Sequence, residues 1–467
     1  MESRQPILFP VETINRELDY RLAMAVLAAT KRNRIFIGLH ENLMRLARRM
    51  EGGVYLGKNA IRPHFQDALD DYLLLKERGF RFIHFDTEGA IYPGDEHRWK
   101  EILYQRLDPR HLEKDDYICT WGEFQRDAYR ELNPSCGQNI RSTGHPRFDL
   151  YRPTWRAYYS KDAARLRARF GDFLLINTNL ARANNRMGPD FVFSHFNGFE
   201  PNDLNRRTTM IENWAHQNEQ LSHYVRLVHR LHLVFPNTPV VLRPHPSEDP
   251  DFYTRVFQGI PNVHVLHEGP VGPWLMACRC MIHDGCTTGL EAYLSETPII
   301  NYRRIQNPSQ ESFLPNLFGQ KCSTEGEVID ALTELFHSSA SRTRFQDPTL
   351  IDYRARRLLE NFCHEAFPNV LDVLTEAQDS LPAWRVKSRN KDLLSLQEVR
   401  FYDTIEGAKH LFRPLSPKHR RAALYARGKF PGLQHSKIAE KIARLERITR
   451  RSVRYSIISR GLLLLET

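Results

Sequence analysis

Two stretches in the second half of the chain combine side chains that bind a phosphate group. The first, residues 241–248, is an apolar run followed by a cation, an imidazole and a hydroxyl, stiffened by two prolines. Arginine presents a fork of N–H donors to a phosphate, and histidine can donate a hydrogen bond to a leaving oxygen. We therefore predict that Arg243, His245, Pro246 and Ser247 bind the phosphate of a nucleotide. The alternative is a proline-stiffened turn that carries a surface histidine.

The second stretch, residues 282–292, reads as a strand, a small polar turn and the start of a helix. Backbone N–H groups and a capping hydroxyl at a helix start bind anions, and glycine lets the backbone approach a ligand closely. A carboxylate one turn inside the helix could accept a hydrogen bond from a ribose hydroxyl. A plain capped helix is the alternative. The predicted donor-binding residues here are Asp284, Thr287, Thr288, Gly289 and Glu291.

Two carboxylates occupy a comparable place in the first half of the chain. Asp86 and Glu88 follow an apolar run that ends at Phe85. Transfer of a group to a hydroxyl needs a carboxylate that takes the hydroxyl proton, and cations or dipoles that stabilise the leaving phosphate. We predict that Asp86, Glu88 and His245 are catalytic. The alternative is that the two carboxylates only cap the segment that follows them.

Turns after other apolar runs add further candidates. In parallel α/β sheets, ligands bind beyond the carboxyl ends of the strands, where the loops carry the chemistry. A structural turn is equally compatible with each of these positions. The candidates for the acceptor are Glu12, His40, His145 and Arg147, and those for the donor are Asn177 and Thr178.

Short apolar runs alternate with helical patterns through most of the sequence, which predicts parallel sheets covered by helices. A basic stretch near residues 152–170 interrupts the rhythm, so we predict two domains of the α/β class, each Rossmann-like and doubly wound, facing a cleft. We predict that residues 1–160 form the acceptor domain and residues 161–378 the nucleotide-binding donor domain. Residues 379–467 form a basic helical tail.

The net charge of +10 comes from that tail, because residues 381–467 hold 20 Lys or Arg against 7 Asp or Glu. A nucleic-acid-binding protein would spread basic charge over its folded domains, so we expect no nucleic acid partner. Residues 436–456 predict an amphipathic helix with Ile438, Ile442, Leu445 and Ile448 on its apolar face. Such a helix could lie on an anionic inner membrane leaflet, or pack on the domains.

Several functional classes lack their sequence signatures. The chain has no apolar run long enough to span a bilayer and no signal-peptide pattern, which indicates a cytoplasmic protein, peripheral at most on the inner face of the membrane. Seven cysteines without paired spacing indicate reduced core thiols. Metal-binding, Walker and dinucleotide fingerprints are missing, so we expect metal-independent transfer without a cofactor beyond the donor substrate.

The two phosphate-binding stretches, RPHPSE and HDGCTTGLEAYLSETPII, resemble a family of GT-B-type glycosyltransferases of bacterial surface-carbohydrate (capsule and O-antigen) biosynthesis. The resemblance covers most of residues 1–375. The His-Pro element is similar to that of bacterial sialyltransferases and ulosonate transferases, and also to that of teichoic-acid polymerases. Asp86-Thr87-Glu88-Gly89 is similar to the acidic-Gly motif of the sialyltransferases, although Thr87 separates the two carboxylates.

This resemblance implies a glycosyltransferase in which Glu88 is the general base. The donor would be a CMP-activated ulosonic acid, such as a nonulosonate or Kdo, and the acceptor a surface polysaccharide or a lipid-linked glycan. Three alternatives stay open. They are a polyol-phosphate transferase similar to the teichoic-acid polymerases, a UDP- or GDP-hexose transferase of the same fold, and a non-catalytic scaffold.

Overall fold

The computed structural model describes residues 4–58, 61, 66–88, 92, 94–305, 313–337, 353–382, 389–413 and 417–467. The chain forms two compact units. The first comprises Met1–Tyr158, Ile351–Phe412 and Lys429–Thr467, and the second comprises Tyr159–Leu350 and Arg413–Gly428. The predicted domain boundary at residue 160 lies next to the passage from Tyr158 to Tyr159.

The first unit contains a sheet whose six N-terminal strands are parallel, in the order β2-β1-β3-β4-β5-β6. The strands are β1 (Gln5–Pro10), β2 (Asn33–Gly38), β3 (Gly53–Gly57), β4 (Phe80–Phe85), β5 (Tyr117–Thr120) and β6 (Ile140–Ser142). The helices are α1 (Ile14–Ala28), α2 (His40–Arg49), α3 (Gln66–Glu77), α4 (Glu96–Arg106), α5 (Glu123–Leu132) and α6 (Pro146–Asp149). The strands are almost entirely buried, as expected for a parallel sheet covered on both faces.

The second unit contains a parallel sheet in the order β12-β11-β10-β7-β8-β9. The strands are β7 (Leu174–Asn177), β8 (Val240–Arg243), β9 (Val263–Val265), β10 (Cys280–His283), β11 (Ile299–Tyr302) and β12 (Gln320–Cys322). The helices are α7 (Ala157–Phe170), α8 (Pro189–Val192), α9 (Leu204–Val234), α10 (Pro250–Val256), α11 (Gly272–Ala277), α12 (Thr288–Leu294) and α13 (Glu325–His337). One apolar core lies between this sheet and the apolar faces of α9 and α13.

These two sheets confirm the predicted α/β class with two Rossmann-like doubly wound units. Short 3-10 helices occur at Pro109–His111, Pro134–Asn139, His195–Asn197, Leu314–Leu317 and Glu360–Phe362. The remaining elements are α14 (Tyr353–Leu358), α15 (Ala366–Asp379), α16 (Arg389–Phe412), α17 (Pro417–Lys429), α18 (His435–Thr449), β13 (Arg454–Ser459) and β14 (Leu462–Glu466). The chain is back in the first unit by α15, which packs against β3, β4 and β5.

The C-terminal segment is more than the helical tail that the sequence predicted. Its last two strands form a hairpin, and β14 pairs antiparallel with β2 at the edge of the first sheet. Leu462, Leu463 and Leu465 are buried there. The hairpin therefore completes the first unit, because it covers an edge strand that would otherwise expose unpaired backbone groups.

The predicted amphipathic helix exists as α18, but it ends at Thr449 rather than at residue 456, because Arg450 adopts a left-handed backbone conformation and β13 follows. Its apolar face is covered by protein. Ile438, Ile442 and Leu445 are buried, and the helix packs against α1. Lys441 forms an ion pair with Asp19 of α1. This packing is the alternative that the sequence left open, and it removes the apolar face from any role in membrane insertion. Among the described helices, none is both long and apolar enough to cross a bilayer.

Candidate functional site

Asp86 lies directly after β4, at the carboxyl end of the first sheet, and is 3% exposed. Arg106 donates from Nε to Oδ2 and from Nη2 to Oδ1, both at 2.8 Å. Burial alone would raise the pKa of Asp86, but the guanidinium of Arg106 outweighs it and holds the pKa well below its usual range. This carboxylate is therefore ionised, buried and held in place, and it suits a positioning role better than contact with a substrate.

Glu88 is the accessible member of the pair, with half of its side chain exposed. Its carboxylate accepts from Nη1 of Arg16 at 3.1 Å and from Nη1 of Arg106 at 3.4 Å. Burial works to raise the pKa of Glu88, but Arg106 and Arg16 outweigh it and the pKa is lowered. A reachable, ionised carboxylate can accept a proton from a hydroxyl. Gly89 of the acidic-Gly motif lies outside the described residues.

A second carboxylate, Glu12, stands at the end of β1 and belongs to the same charged network. Lys58, directly after β3, contacts Glu12 at 2.8 Å and the buried Glu17 at 3.2 Å. Lys429 contacts the other oxygen of Glu12 at 2.7 Å. Burial raises the pKa of Glu12, but Lys58 and Lys429 outweigh it and lower the pKa to about 2. Arg16 joins this cluster to Glu88 because it also contacts Glu17 at 3.0 Å.

Sequence reasoning missed Lys58, Arg16 and Arg106. Lys58 could have been found, because β1, β3 and β4 are neighbours in the sheet and the residues after their ends meet at one edge. The two arginines lie inside α1 and at the end of α4, where nothing in the sequence marks their partners.

His145 and Arg147 were assigned to the acceptor, and the structure places both in the interior of the first unit. His145 is fully buried, and its ring centroid lies 4.9 Å from that of Tyr20 and 4.6 Å from that of Phe85. Its Nδ1 accepts from the backbone N–H of Arg147 at 3.0 Å. Burial lowers the pKa of His145 well below its usual value, so the ring is neutral. Contact with an acceptor would require this region to move.

His40, the remaining acceptor candidate, lies at the start of α2, just beyond the end of β2. Its Nδ1 is 2.6 Å from the hydroxyl of Tyr55, and its Nε2 is 2.7 Å from Oδ2 of Asp71. Both ring nitrogens therefore have partners within the protein. The assignment of His40 to the acceptor stays a prediction, and its contacts indicate a structural role.

A row of buried polar side chains crosses the second sheet at the carboxyl ends of four adjacent strands. Asn301, His283, Asn177 and Arg243 are register partners on β11, β10, β7 and β8. Register partners in parallel strands point to the same face of the sheet. The oxygens of Asn177 and Asn301 and both ring nitrogens of His283 have no hydrogen-bond partner within the part of the chain that the structure describes. Ordered water could satisfy these groups.

His283 and Asn301 were not singled out as functional residues in the sequence, although they end or nearly end predicted strands. Burial lowers the pKa of His283 to about 3, and Arg303 adds to the effect. A neutral imidazole still carries one N–H. Asn177, which was predicted to bind the donor, belongs to this buried row, whereas its neighbour Thr178 donates to Glu248 at 2.8 Å.

Arg243 is 6% exposed, and its guanidinium group donates to backbone carbonyl groups of the second unit. Its Nη1 donates to the carbonyl oxygen of Glu268 at 2.8 Å, and its Nη2 donates to that of Gly269 at 3.1 Å. The guanidinium also lies over the ring of Trp274, with 4.9 Å between Cζ and the ring centroid. These contacts hold the loop after β9. Binding of a donor phosphate by Arg243 stays a prediction, and it would compete with these partners.

His245 follows β8 and is half-buried. Its Nδ1 accepts from the backbone N–H of Ser247 at 3.2 Å, so Nε2 carries the hydrogen in the neutral ring. The hydroxyl of Ser247 lies 3.3 Å from that of Tyr425, on the part of α17 that belongs to the second unit. Sequence reasoning missed Tyr425. Pro246, which lies between His245 and Ser247 in the sequence and was also predicted to bind the donor, is half-buried.

Glu248 is the buried centre of this loop, and sequence reasoning gave it no role. One oxygen accepts from the hydroxyl of Thr178 at 2.8 Å and from the N–H groups of Leu180 at 3.0 Å and His245 at 3.1 Å. The other oxygen accepts from the hydroxyl of Tyr253 at 2.6 Å. Burial raises the pKa of Glu248, and these four hydrogen bonds oppose the rise. The carboxyl group thus ties the loop after β7 to the His245 loop.

The predicted helix start is the N-terminus of α12, and its details differ from the prediction. Thr287 precedes the helix but makes no side-chain capping bond, so the expected capping hydroxyl is wrong. A Cβ on Gly289 would lie 2.7 Å from Cε1 of His283, so this glycine is needed for packing inside the protein. The other predicted residues here are the half-buried Asp284 and Thr288 and the buried Glu291.

No group of three or more His, Cys, Asp or Glu side chains that could hold a metal ion occurs in the described ranges. Six of the seven cysteines are buried, Cys363 is exposed, and all are free thiols.

No protein-family model matches the chain, and no curated protein matches it either. Among solved structures, wall teichoic acid polymerase TagF is similar at 12% identity over 80% of this chain and 89% of that chain, with a TM-score of 0.46. A putative UDP-N-acetylglucosamine 2-epimerase from Listeria monocytogenes is similar at 11% identity over 82% and 99%, with a TM-score of 0.48. UDP-GlcNAc 2-epimerase from Neisseria meningitidis is similar at 13% identity over 80% and 100%, with a TM-score of 0.45. Similarity at these levels gives no information about the reaction.

Proposed function

We propose that the chain is a glycosyltransferase that moves a sugar from a nucleotide-activated donor onto a hydroxyl of a glycan acceptor. The observation that carries the proposal is the orientation of His245 at the end of β8. Because Ser247 donates its N–H to Nδ1, the Nε2–H is the ring donor for the oxygen of a leaving phosphate. The buried Glu248 holds this loop in place.

On the acceptor side, Glu88 is the base. Its carboxylate takes the proton of the acceptor hydroxyl while the hydroxyl oxygen forms a bond to the anomeric carbon of the donor. The bond between that carbon and the nucleotide phosphate breaks, and the electron pair leaves with the phosphate oxygen, which His245 stabilises. Asp86 and Arg106 act as positioning residues, since their bidentate ion pair holds the segment that carries Glu88.

The donor that we favour is a CMP-activated ulosonic acid, and the acceptor is a surface polysaccharide or a lipid-linked glycan. Support for this choice comes from the resemblance of the His-Pro and acidic-Gly elements to those of sialyltransferases and ulosonate transferases. Exposed basic residues at the end of α18 and beyond it, such as Arg447 and Arg450, would attract an anionic inner leaflet. Because the apolar face of α18 is buried, this attraction would be electrostatic and sensitive to salt.

Transfer of a polyol phosphate is the second candidate, and one observation favours it. His145-Pro146 and His245-Pro246 share the same local hydrogen bond, in which Nδ1 accepts the N–H two residues later. Paired His-Pro elements are the feature that the chain shares with the teichoic-acid polymerases. The complete burial of His145 weighs against direct participation in the reaction.

The test compares four donors, namely a CMP-ulosonic acid, a CDP-activated polyol, a UDP-hexose and a GDP-hexose. Nucleotide release and the mass added to a glycolipid acceptor would be measured together. We expect Glu88→Gln to slow transfer at least about 100-fold while leaving nucleotide binding unchanged, and Glu77→Gln, at an exposed carboxylate of the same unit, to have no effect. Transfer at the normal rate by Glu88→Gln would refute the assignment of the base, and turnover of none of the four donors would refute the proposed reaction.

A further inference from the structure

A pocket of about 310 Å³ lies on the second unit, apart from every residue discussed above as a substrate contact. It is formed by the middle of α9, the residues just after β11 and the first residue of α13. The lining side chains are His223, Arg226, His229, Arg230, Arg304 and Glu325.

The pocket concentrates positive charge. Three guanidinium groups and two imidazoles surround one carboxylate, and residues 223, 226 and 230 share a face of α9 through their helical spacing. Glu325 accepts from the hydroxyl of Tyr302 at 2.9 Å, lies 3.2 Å from Nδ1 of His223 and lies 3.8 Å from Nη1 of Arg230. Its single charge is therefore already engaged.

Arg226 and Arg304 have no ion pair or hydrogen bond with any described residue, and both are exposed. Like charges held in one concave pocket repel each other, and an anion that enters the pocket relieves that repulsion. These two guanidinium forks, which no described residue pairs, lie beside the imidazole of His229 and match the oxygens of a phosphate group, which accepts paired hydrogen bonds from such forks.

We propose that this pocket binds a compact anion of the phosphate or pyrophosphate class with at least two negative charges. Its volume suits a small anion or a phosphorylated head group. The site is separate from the His245 loop: β8 and β11 are separated by β7 and β10, so three steps of about 4.8 Å place it roughly 14 Å away along the sheet. The inference does not depend on the proposed reaction, because it uses none of the residues assigned to transfer.

The probe is inorganic pyrophosphate, titrated calorimetrically into the full chain at low salt. We expect saturable binding by the unmodified protein, and binding at least tenfold weaker after the double change Arg226→Ala with Arg304→Ala. Arg255→Ala is the matched control, since it removes one exposed arginine from α10 of the same unit. Glu325→Gln should act in the opposite direction and tighten binding, because it removes the one carboxylate among the described residues that line the pocket and keeps a hydrogen-bond acceptor for Tyr302.

Three results would overturn the proposal: no saturable heat with the unmodified protein, equal weakening by the double variant and Arg255→Ala, or weaker binding in Glu325→Gln with an unchanged unfolding midpoint. Cosedimentation with phosphatidic acid vesicles, against phosphatidylcholine vesicles, then identifies the source of the phosphate. If the double variant loses vesicle binding relative to Arg255→Ala, the ligand is a lipid head group. If vesicle binding is unchanged and only pyrophosphate binding is lost, the ligand is a free anion.

Discussion

Glu248 offers the prediction that the structure defines most fully. Replacement by alanine removes the acceptor for four donors at once, namely the hydroxyls of Thr178 and Tyr253 and the N–H groups of Leu180 and His245. A hydroxyl can rotate toward another partner, but a buried backbone N–H cannot, and leaving one unsatisfied costs about 1–3 kcal/mol. With the two N–H groups and a small cavity, we expect Glu248→Ala to lower the free energy of unfolding by about 3–5 kcal/mol.

Glu248→Gln separates the effect of shape and hydrogen bonding from that of the acid itself. The amide oxygen can still accept from Thr178, Leu180 and His245, and the amide NH2 can donate to the hydroxyl of Tyr253. We therefore expect this variant to lose only about 1 kcal/mol. Glu248→Gln replaces one carboxylate oxygen by an NH2 group, whereas Glu248→Ala removes every hydrogen bond that the carboxylate accepts.

Hydrogen–deuterium exchange followed by mass spectrometry is the appropriate assay, because the first unit then serves as an internal reference. In Glu248→Ala, peptides that cover β7, β8 and the His245 loop should exchange faster, while peptides from β1 to β6 should keep their protection. Equal exchange in the alanine and glutamine variants would contradict the stabilisation of this loop by the hydrogen bonds of Glu248. So would a loss of protection in Glu248→Ala that is confined to the first unit.

Three further perturbations test separate contacts. Arg106→Met should lower the free energy of unfolding by about 3–5 kcal/mol in a denaturant titration, because the carboxylate of Asp86 stays buried without its partner; a loss below about 1 kcal/mol would contradict the ion pair. Burial lowers the pKa of His84 to about 4, so the unfolded chain binds the proton first and stability is lost as pH falls from about 6.5 toward 4. Between pH 8 and pH 5 the free energy of unfolding should fall by about 2 kcal/mol from this group alone. His84→Leu should abolish that pH-dependent loss, and a variant with the same pH profile as the unmodified protein would disprove it. Leu445→Ala should lower the free energy of unfolding by about 2–5 kcal/mol, whereas Arg447→Ala, on the exposed face of α18, should lower it by less than about 0.5 kcal/mol. Equal losses in the two variants would contradict the packing of α18 on α1.

The two parallel sheets could be predicted because their strands are buried on both faces. Such strands read as continuous apolar runs, as residues 35–37 and 299–300 do, and most of these runs alternate with helical patterns along the chain. The hairpin formed by β13 and β14 could not be predicted in the same way. Its partner is β2, more than 400 residues earlier, and an apolar run gives no information about which sheet edge it covers.

The sequence predicted where the candidate residues lie in the chain relative to the strands, but not which side chains they contact. Asp86, Glu88 and His245 do follow strand ends, because the alternation of strand and helix fixes where loops begin. Their surroundings depend on which side chains meet in space. The pairing of Asp86 with Arg106 brings together residues that are 20 positions apart, and the sequence carried no signal for it.

Burial is the second property that the sequence did not carry. Arg243 and His145 have the residue types of ligand-binding side chains, and both follow or end predicted strands. In the structure Arg243 is held by two carbonyl groups and His145 is packed among aromatic rings. A polar or charged side chain at the end of a strand can point into the interior as readily as toward a ligand, and only the packing around it decides which.

The most direct test of the central claim is a calorimetric titration of CMP, CDP, UDP and GDP into the unmodified protein and into His245→Asn. Asparagine can keep the acceptor for the N–H of Ser247 but loses the donor at Nε2, and His195→Asn at an exposed histidine of the same unit is the control. We expect saturable binding of at least one nucleotide, weakened about tenfold or more in His245→Asn and unchanged in His195→Asn. Failure of all four nucleotides to bind, or equal binding by the unmodified protein and His245→Asn, would contradict it.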